Sequence, residues 1–349
     1  MRVLLCGYYG LGNGGDEALL ATLLQMLPAQ VQPVVLSAQP EVTRQQYGVP
    51  ACHRWHLGAV VKELLRSQGF IWGGGSLIQD KTSWASPLYY LGLMAMAQLL
   101  GKRTVAWAQG IGPLERRWLR ALAGWVFRRC QGVSVRDKPA AEQLRRWGRG
   151  ALLAPDPVWA LPDQPYWPLG DVPAPRLAVV LRPHPLLTSP WIEVLALALR
   201  QFQQATGAWV VFLPFQPATD RALAQHLQRR VGDRSALLEP PHPAQLKGVF
   251  RYLDLVVTMR YHGLVMGAAA GCRCFSLSYD PKVSQLQQDL GVPGWDLHQP
   301  PPTPQDLSRQ WLDLYVNGEG LSPAQIQTWA DRALLHGELL RQVFDPSEQ

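Results

Sequence analysis

The chain has 349 residues, 47% of them hydrophobic and 17% charged, which excludes a disordered polymer and allows two domains. Its net charge of +7 at pH 7 suits an anionic small substrate, an anionic membrane surface or nucleic acid. Nucleic acid is set aside, because no compact Lys/Arg cluster interleaved with aromatics is present and no binding motif of that kind occurs. No apolar run reaches membrane-spanning length; the longest, 87–100, reads as a buried helix. The opening apolar stretch is too short for a signal peptide, so a cytoplasmic protein is expected, with peripheral contact at the inner face of the cytoplasmic membrane as an extension of its basic charge. Cys6, Cys52, Cys130, Cys272 and Cys274 are odd in number and show no C-x-x-C spacing. They read as reduced thiols, not as disulfides or a zinc site.

A first strand at 3–9 runs into Gly10-Leu11-Gly12-Asn13-Gly14-Gly15-Asp16-Glu17 and then a helix at 18–27. The unit resembles a dinucleotide fingerprint, but the spacing is not G-x-G-x-x-G. Asp16 and Glu17 also put negative charge where a pyrophosphate would sit. Asn13 and Asp16 are better suited to accept hydrogen bonds from sugar hydroxyls. Asp16 as a plain helix cap is the alternative, and both can hold together.

A strand at 33–38 and an amphipathic helix at 58–67 follow. The strand at 70–77 ends in Gly73, Gly74 and Gly75, where backbone can approach a ligand and successive N–H groups can form an anion nest. Asp80, Lys81, Trp84 and Tyr89 come next and are expected to wall a cleft. The strand at 104–109 ends in Gln109, which joins Gly74 and Gly75 as an acceptor candidate. After a helix at 115–130, the strand at 132–138 leaves Arg136 at its carboxyl end; an ion pair with Asp137 or Asp156 is its alternative role. A helix at 140–147 and the stretch 151–159 complete a first domain, 1–162.

Residues 163–176, which hold Pro165, Pro168, Pro173 and Pro175, exclude helix and central strand and form a linker. The second domain, 177–349, alternates again. Its strand at 177–184 ends in Arg182 and His184. A helix at 189–206, a strand at 209–215, a helix at 220–231, a short strand at 235–239 and a helix at 242–252 lead to Thr258-Met259-Arg260-Tyr261-His262-Gly263. The apolar run 254–259 is a buried strand. The Gly- and Ala-rich run from Gly263 is a tightly packed helix. Arg260 therefore offers a fixed two-pronged cation, and His262 a proton donor or acceptor, at a strand end where a helix begins. The plainer alternative is a surface arginine and a capping histidine. The strand at 272–279 is followed by Lys282. Helices at 305–315 and 322–344 close the chain, and one of them is expected to pack back on the first domain.

This alternation predicts an α/β protein of two Rossmann-like domains with parallel, doubly wound sheets facing a central cleft. Arg182, Arg260, His262 and Lys282 from the second domain, with Arg136 from the first, would give a cationic donor wall. Asn13, Asp16 and the glycine triplet would give a hydroxyl-binding acceptor wall.

Six segments together resemble the polysaccharide pyruvyl transferases of the CsaB type. They are Gly7-Tyr8-Tyr9-Gly10-Leu11-Gly12-Asn13-Gly14-Gly15-Asp16-Glu17-Ala18-Leu19, Trp72-Gly73-Gly74-Gly75-Ser76, Gln109-Gly110-Ile111-Gly112-Pro113, Ser134-Val135-Arg136-Asp137, Arg260-Tyr261-His262 and Tyr279-Asp280-Pro281-Lys282. The resemblance implies a GT-B-like fold. It implies transfer of a pyruvyl group from phosphoenolpyruvate to two hydroxyls of a sugar, in a cell-surface glycan or its lipid-linked precursor, with release of phosphate. By the R-x-H motif it assigns the central roles to Arg260 and His262. Arg136 and Lys282 match through shorter motifs. The family segment often has Leu where Tyr261 stands, and the Tyr261 side chain is expected to point to the other side. No cofactor beyond the donor substrate and no metal is expected, since no metal-ligand spacing occurs. A GT-B glycosyltransferase using a nucleotide sugar and a non-catalytic module for anionic glycans are the alternatives.

Overall fold

A computed structural model describes residues 1–80 and 83–345. The chain divides into two compact units, Met1–Leu161 with the chain from Thr328 onward, and Pro162–Gln327.

The first unit begins with β1 (Arg2–Cys6), α1 (Gly14–Met26), β2 (Gln32–Ser37), α2 (Pro40–Tyr47), β3 (Ala51–His53) and α3 (Leu57–Arg66). It continues with β4 (Gly69–Trp72), β5 (Gly75–Ile78), α4 (Ala85–Leu99), β6 (Arg103–Ile111), α5 (Arg117–Arg129), β7 (Gly132–Val135), α6 (Lys138–Arg146) and β8 (Leu152–Leu153). The strands form one parallel sheet in the order β3-β2-β1-β4-β6-β7-β8, with β5 also paired to β6. The expected single strand at 70–77 is broken. Gly73 N–H bonds to Cys6 carbonyl at 2.9 Å, the chain bends at Gly73 and Gly74, and the remainder pairs with β6. One face of the sheet, with Leu4, Leu36, Phe70 and Trp72, packs against α3, α4, α5 and α6 through Val60, Leu91, Phe127 and Leu144. Each fully buried large side chain of this layer contributes roughly 1.5–3 kcal/mol.

The second unit contains β9 (Arg176–Val180), α7 (Ser189–Thr206), β10 (Trp209–Phe212), α8 (Pro217–Val231), β11 (Ser235–Leu237) and α9 (Pro243–Val249). It continues with β12 (Leu255–Thr258), α10 (Tyr261–Ala269), β13 (Arg273–Ser278), α11 (Pro281–Leu290), β14 (Gly294–Asp296) and α12 (Pro304–Asn317). Its six-stranded parallel sheet has the order β11-β10-β9-β12-β13-β14. Residues 163–175 form neither helix nor strand and lie on this unit. Gln164 N–H bonds to Ala244 carbonyl at 2.9 Å, and the Trp167 ring stacks on Tyr252 at 5.1 Å.

The tail is not one helix after α12 but two, α13 (Pro323–Ala333) and α14 (Leu335–Phe344). α14 belongs to the first unit and packs on β6 and β7. Arg103 holds it by donating to Val343 carbonyl at 3.0 Å. Val133 and Val135 point into the layer of α3 to α6, so Ser134 between them faces the other way, where α14 places His336. All five cysteines are free thiols.

Candidate functional site

In each sheet the strand order reverses once, and most of the predicted residues lie there, with Gln109, Arg136 and Lys282 on other strand ends. In the first unit the reversal lies between β1 and β4, whose ends are in register at Cys6 and Trp72. In the second it lies between β9 and β12, in register at Val180 and Thr258. Loops leaving such a switch point diverge, and the opening between them is where open α/β sheets bind ligands.

In the first unit the glycine loop and the glycine triplet leave the sheet side by side. A Cβ on either Gly7 or Gly73 would run into the Tyr9 ring, which fills the angle between them. Asn13 caps α1, its Oδ1 accepting the Gly15 N–H at 3.1 Å. Asp16 stands in the first turn of α1. Its Oδ1 would lie 3.3 Å from a Cβ on Gly75, whose φ is +126°, so Asp16 and Gly75 adjoin and only glycine fits comfortably. Gly74 is packed against Leu19 and Ala108. The triplet is buried and partly in strand, so it is not an open loop. Gln109 is fully buried. Its amide donates to Gly73 carbonyl at 2.6 Å and Trp107 carbonyl at 2.9 Å, so it braces the triplet from behind. Lys81 lies outside the described residues; Asp80 is buried and caps the next segment by accepting the N–H groups of Glu115 and Arg116.

Glu17 carries a signal that the motif alone did not resolve. Its carboxylate accepts Gly10 N–H at 2.8 Å and Tyr47 O–H at 3.0 Å. Burial pushes its pKa up to about 7 against the opposing pull of those hydrogen bonds. Arg54 was also missed. It is buried, donates to Gly7 carbonyl and Tyr90 hydroxyl at 2.9 Å each, and lies among the rings of Trp55, Tyr89 and Tyr90.

Arg136 emerges after β7 and is buried. Its pair is Asp156 at 2.7 Å, while Asp137 caps α6 by accepting Ala140 N–H at 2.8 Å. Its second arm donates to Ser76 Oγ at 3.1 Å. The guanidinium thus sits beside the glycine strand β5. Behind it runs a directional chain. Ala108, whose φ of +49° makes it the one non-glycine with positive φ among the described residues, donates its N–H to Ser134 Oγ at 2.8 Å. Ser134 in turn donates to His336 Nδ1 at 2.9 Å, and His336 Nε2–H donates to Pro155 carbonyl at 2.9 Å. Ser134 therefore holds a strained bend where β6 slips register. Burial lowers the His336 pKa to about 4. The unfolded state takes up a proton near 6.5 and the folded state does not, so stability falls as pH drops from 6.5 to 4. The expected loss is about 3 kcal/mol. Urea midpoints across that range test this, and a His336→Asn chain with an undiminished slope would remove His336 as the cause.

In the second unit Arg260 stands at the N-terminal cap position of α10, without a capping side-chain hydrogen bond, and is buried. Thr258 Oγ1 accepts its N–H at 3.0 Å and donates to its carbonyl at 3.1 Å. Its guanidinium pairs with Asp220 at 2.5 Å. Asp220, in the first turn of α8, also accepts Gln216 N–H and Thr219 O–H at 2.9 Å each. Arg260 is thus neither a surface arginine nor a free one. Asp220 escaped sequence reading, because 40 residues separate it from Arg260. His262 follows in the first helical turn, half-buried, with the Tyr261 ring edge-on at 5.3 Å. Tyr261 does not point to the other side as expected: the helix already begins at Tyr261, and successive helical residues diverge by about 100°, not 180°.

Arg182 follows just after β9 at the switch point, its guanidinium 6.0 Å from the Tyr279 ring, which also meets the His184 ring at a tilt, centroids 4.5 Å apart. The Nε of Arg260 and of Arg182 are both buried without a hydrogen-bond partner. Lys282 lies in the first turn of α11, where Asp280 accepts its N–H at 3.0 Å and faces its ammonium at 3.8 Å. The structure therefore brings Arg182, Arg260 and His262 to one switch point, with Lys282 on the next strand-to-helix turn. The helix from Gly263 is as tightly packed as its sequence implies. A Cβ on Gly263 would collide with Thr258 Oγ1 and stand 3.1 Å from Val180. Gly263→Ala is expected to cost about 1–3 kcal/mol in urea unfolding; a neutral variant would mean that the Thr258 hydroxyl can swing away. Among the described residues no group of His, Cys, Asp and Glu is placed to hold a metal ion, and no helix is long and apolar enough to cross a membrane.

Solved structures resemble this chain along its whole length. The UDP-GlcNAc 2-epimerase of Neisseria meningitidis bound to UDP-GlcNAc is 10% identical over 100% of both chains, with a TM-score of 0.62. The Methanocaldococcus jannaschii UDP-GlcNAc 2-epimerase is 9% identical over 98% of this chain and 100% of that one, with a TM-score of 0.63. Acinetobacter baumannii MurG is 12% identical over 98% of both, with a TM-score of 0.53. These likenesses establish a GT-B-like fold. No curated protein sequence matches the chain. The polysaccharide pyruvyl transferase family matches residues 13–281, from the cap of α1 to the first residue of α11, and so takes in the whole second switch point and, of the first, α1 and β4 with its glycine triplet. The chain belongs to the polysaccharide pyruvyl transferase family.

Proposed function

We propose that the chain transfers a pyruvyl group from phosphoenolpyruvate to two hydroxyls of a sugar, in the manner of the CsaB type, within a cell-surface glycan or its lipid-linked precursor. The observation that carries this reading is the second switch point. Two guanidiniums, Arg182 and Arg260, each retain a buried Nε donor there, beside the titratable His262. A donor with a carboxylate and a phosphate needs fixed cations of this kind. Arg260, oriented by Asp220, and Arg182 take its anionic groups together with Lys282. Arg136, in the first unit, is a further donor-binding candidate through its shared motif. His262 as imidazolium protonates C3 of the enol phosphate and takes back the proton of a sugar hydroxyl as that oxygen bonds to C2, so a tetrahedral phosphoketal forms. The second hydroxyl then attacks C2 as the C–O bond to phosphate breaks, its proton leaving with the phosphate, which closes the ketal. Asn13 and Asp16 accept the acceptor's hydroxyls, and Gly74, Gly75 and Gln109 shape the wall behind them. No separate cofactor enters this scheme.

The fold shared with UDP-GlcNAc 2-epimerases and MurG keeps a second reading in play, a glycosyltransferase using a nucleotide sugar. Calorimetric titration separates the two. Phosphoenolpyruvate is expected to bind, and Arg182→Ala to weaken it about tenfold. Binding of UDP-GlcNAc with none of phosphoenolpyruvate would favour the glycosyltransferase.

A further inference from the structure

The outer face of the α3 to α6 layer does not look like a solvated surface. The inner line of α3, Val60 and Leu64, is buried. Its outer line, Leu57, Val61 and Leu65, is exposed at spacings of four, with Leu57 66% and Leu65 55% open. A helix that covers a sheet ordinarily places polar residues there. The apolar line continues onto the next element. Lys102 Nζ donates to Leu65 carbonyl at 3.0 Å, which brings in the end of α4, where Leu99 is 77% exposed and Leu100 and Met96 are exposed as well. Trp55, 59% exposed, stands just before α3.

The charge on this face is one-sided. Lys62, Arg66 and Lys102 lie between the apolar residues. α5 carries Arg117, Arg120, Arg128 and Arg129 and no acid. Across α3, α4, α5 and α6 the acidic residues are Glu63 and Glu142, and each is paired, with Arg2 at 2.6 Å and Arg146 at 2.8 Å. Residues 55–150 hold 15 Lys/Arg against 5 Asp/Glu, whereas the whole chain holds 33 against 26. The basic excess of the protein is therefore concentrated in this segment.

We propose that this face docks on an anionic lipid bilayer. Apolar side chains with an adjacent tryptophan enter the boundary between headgroups and acyl chains, and a field of Lys and Arg meets anionic headgroups. A second copy of the chain fits poorly, because a two-fold interface would set the basic face against itself. The proposal stands independently of the reaction assigned above.

The test is co-sedimentation of the full-length protein with vesicles of phosphatidylcholine alone and of phosphatidylcholine mixed with phosphatidylglycerol. Binding is expected to the phosphatidylglycerol vesicles, weakening as salt rises. Leu57→Ser/Leu65→Ser/Leu99→Ser should weaken it by about tenfold per leucine buried, and Lys62→Glu/Arg66→Glu by roughly fivefold or more per residue. Arg200→Glu/Arg229→Glu, an equal charge change on exposed positions of α7 and α8 in the second unit, should change it little. The substituted positions are exposed, so thermal midpoints should not move. Absence of binding, or equal weakening by all charge variants, would overturn the proposal. So would a change in oligomeric state, read by light scattering, as the sole effect of the leucine variants. Turnover of a soluble acceptor is unaffected by any of these outcomes, so the reaction and the docking surface fail separately.

Discussion

His262→Ala is expected to lower the rate of pyruvyl transfer by about 10²- to 10⁴-fold while the chain still folds, because removing a general acid costs that much. The side chain sits in the first turn of α10, half-buried, beside an arginine already fixed by two hydrogen bonds and an ion pair. It is not fully buried, so far-UV circular dichroism and the urea midpoint should stay near those of the parent. His262→Gln keeps hydrogen-bonding capacity without the proton and should be as impaired as alanine. A folded and fully active His262→Ala chain would exclude His262 from the chemistry, leaving Arg260 and Arg182 as binding groups only.

The largest stability effect is expected at Asp220. Asp220→Ala leaves the buried Arg260 guanidinium without its counter-charge and orphans the Gln216 N–H, and should cost about 3–5 kcal/mol in urea unfolding. Asp220→Ala/Arg260→Met removes both charges together and should be more stable than Asp220→Ala alone, because no lone buried charge remains. Both chains should be inactive, the single variant because Arg260 is no longer aimed, the double because the cation is gone. If Asp220→Ala were as stable as the parent, Arg260 would have to be solvated or held by another group. The pairing would then not be what positions it.

Most strands of the two sheets were legible, because each of those is an apolar, often β-branched run that stops at a glycine or a charged residue. The strand-end rule then pointed to Arg182, Arg260, His262 and Lys282 before any geometry was known. Elements without such a run were not legible. α2 buries only Thr43, and β3 is three residues long, so neither carries a periodic pattern. The break between β4 and β5 depends on β5 pairing with β6, a contact about 34 residues away at Gly75 and Gln109, which no local window holds. The same limit hides the partners. Asp220, Ser134 and His336 read as an ordinary helix-start acid, a strand serine and a tail histidine. Their roles appear only when the fold brings positions 40 and 202 residues apart into hydrogen-bonding distance. The resemblance motif did include Ser134, and the structure supplies its physical reason: its hydroxyl ties the strained Ala108 bend to α14.

The most direct measurement of the central claim is turnover in D₂O with phosphoenolpyruvate and a panel of hexose and N-acetylhexosamine glycosides and their lipid-mimetic diphosphates, following phosphate and the product by NMR and mass. Acceptor-dependent phosphate release, with a ketal whose methyl group carries one deuterium from the protonation of C3, is the predicted result, and it should fall with His262→Ala. Phosphate release with no ketal, or consumption of a nucleotide sugar while phosphoenolpyruvate is left untouched, would contradict it.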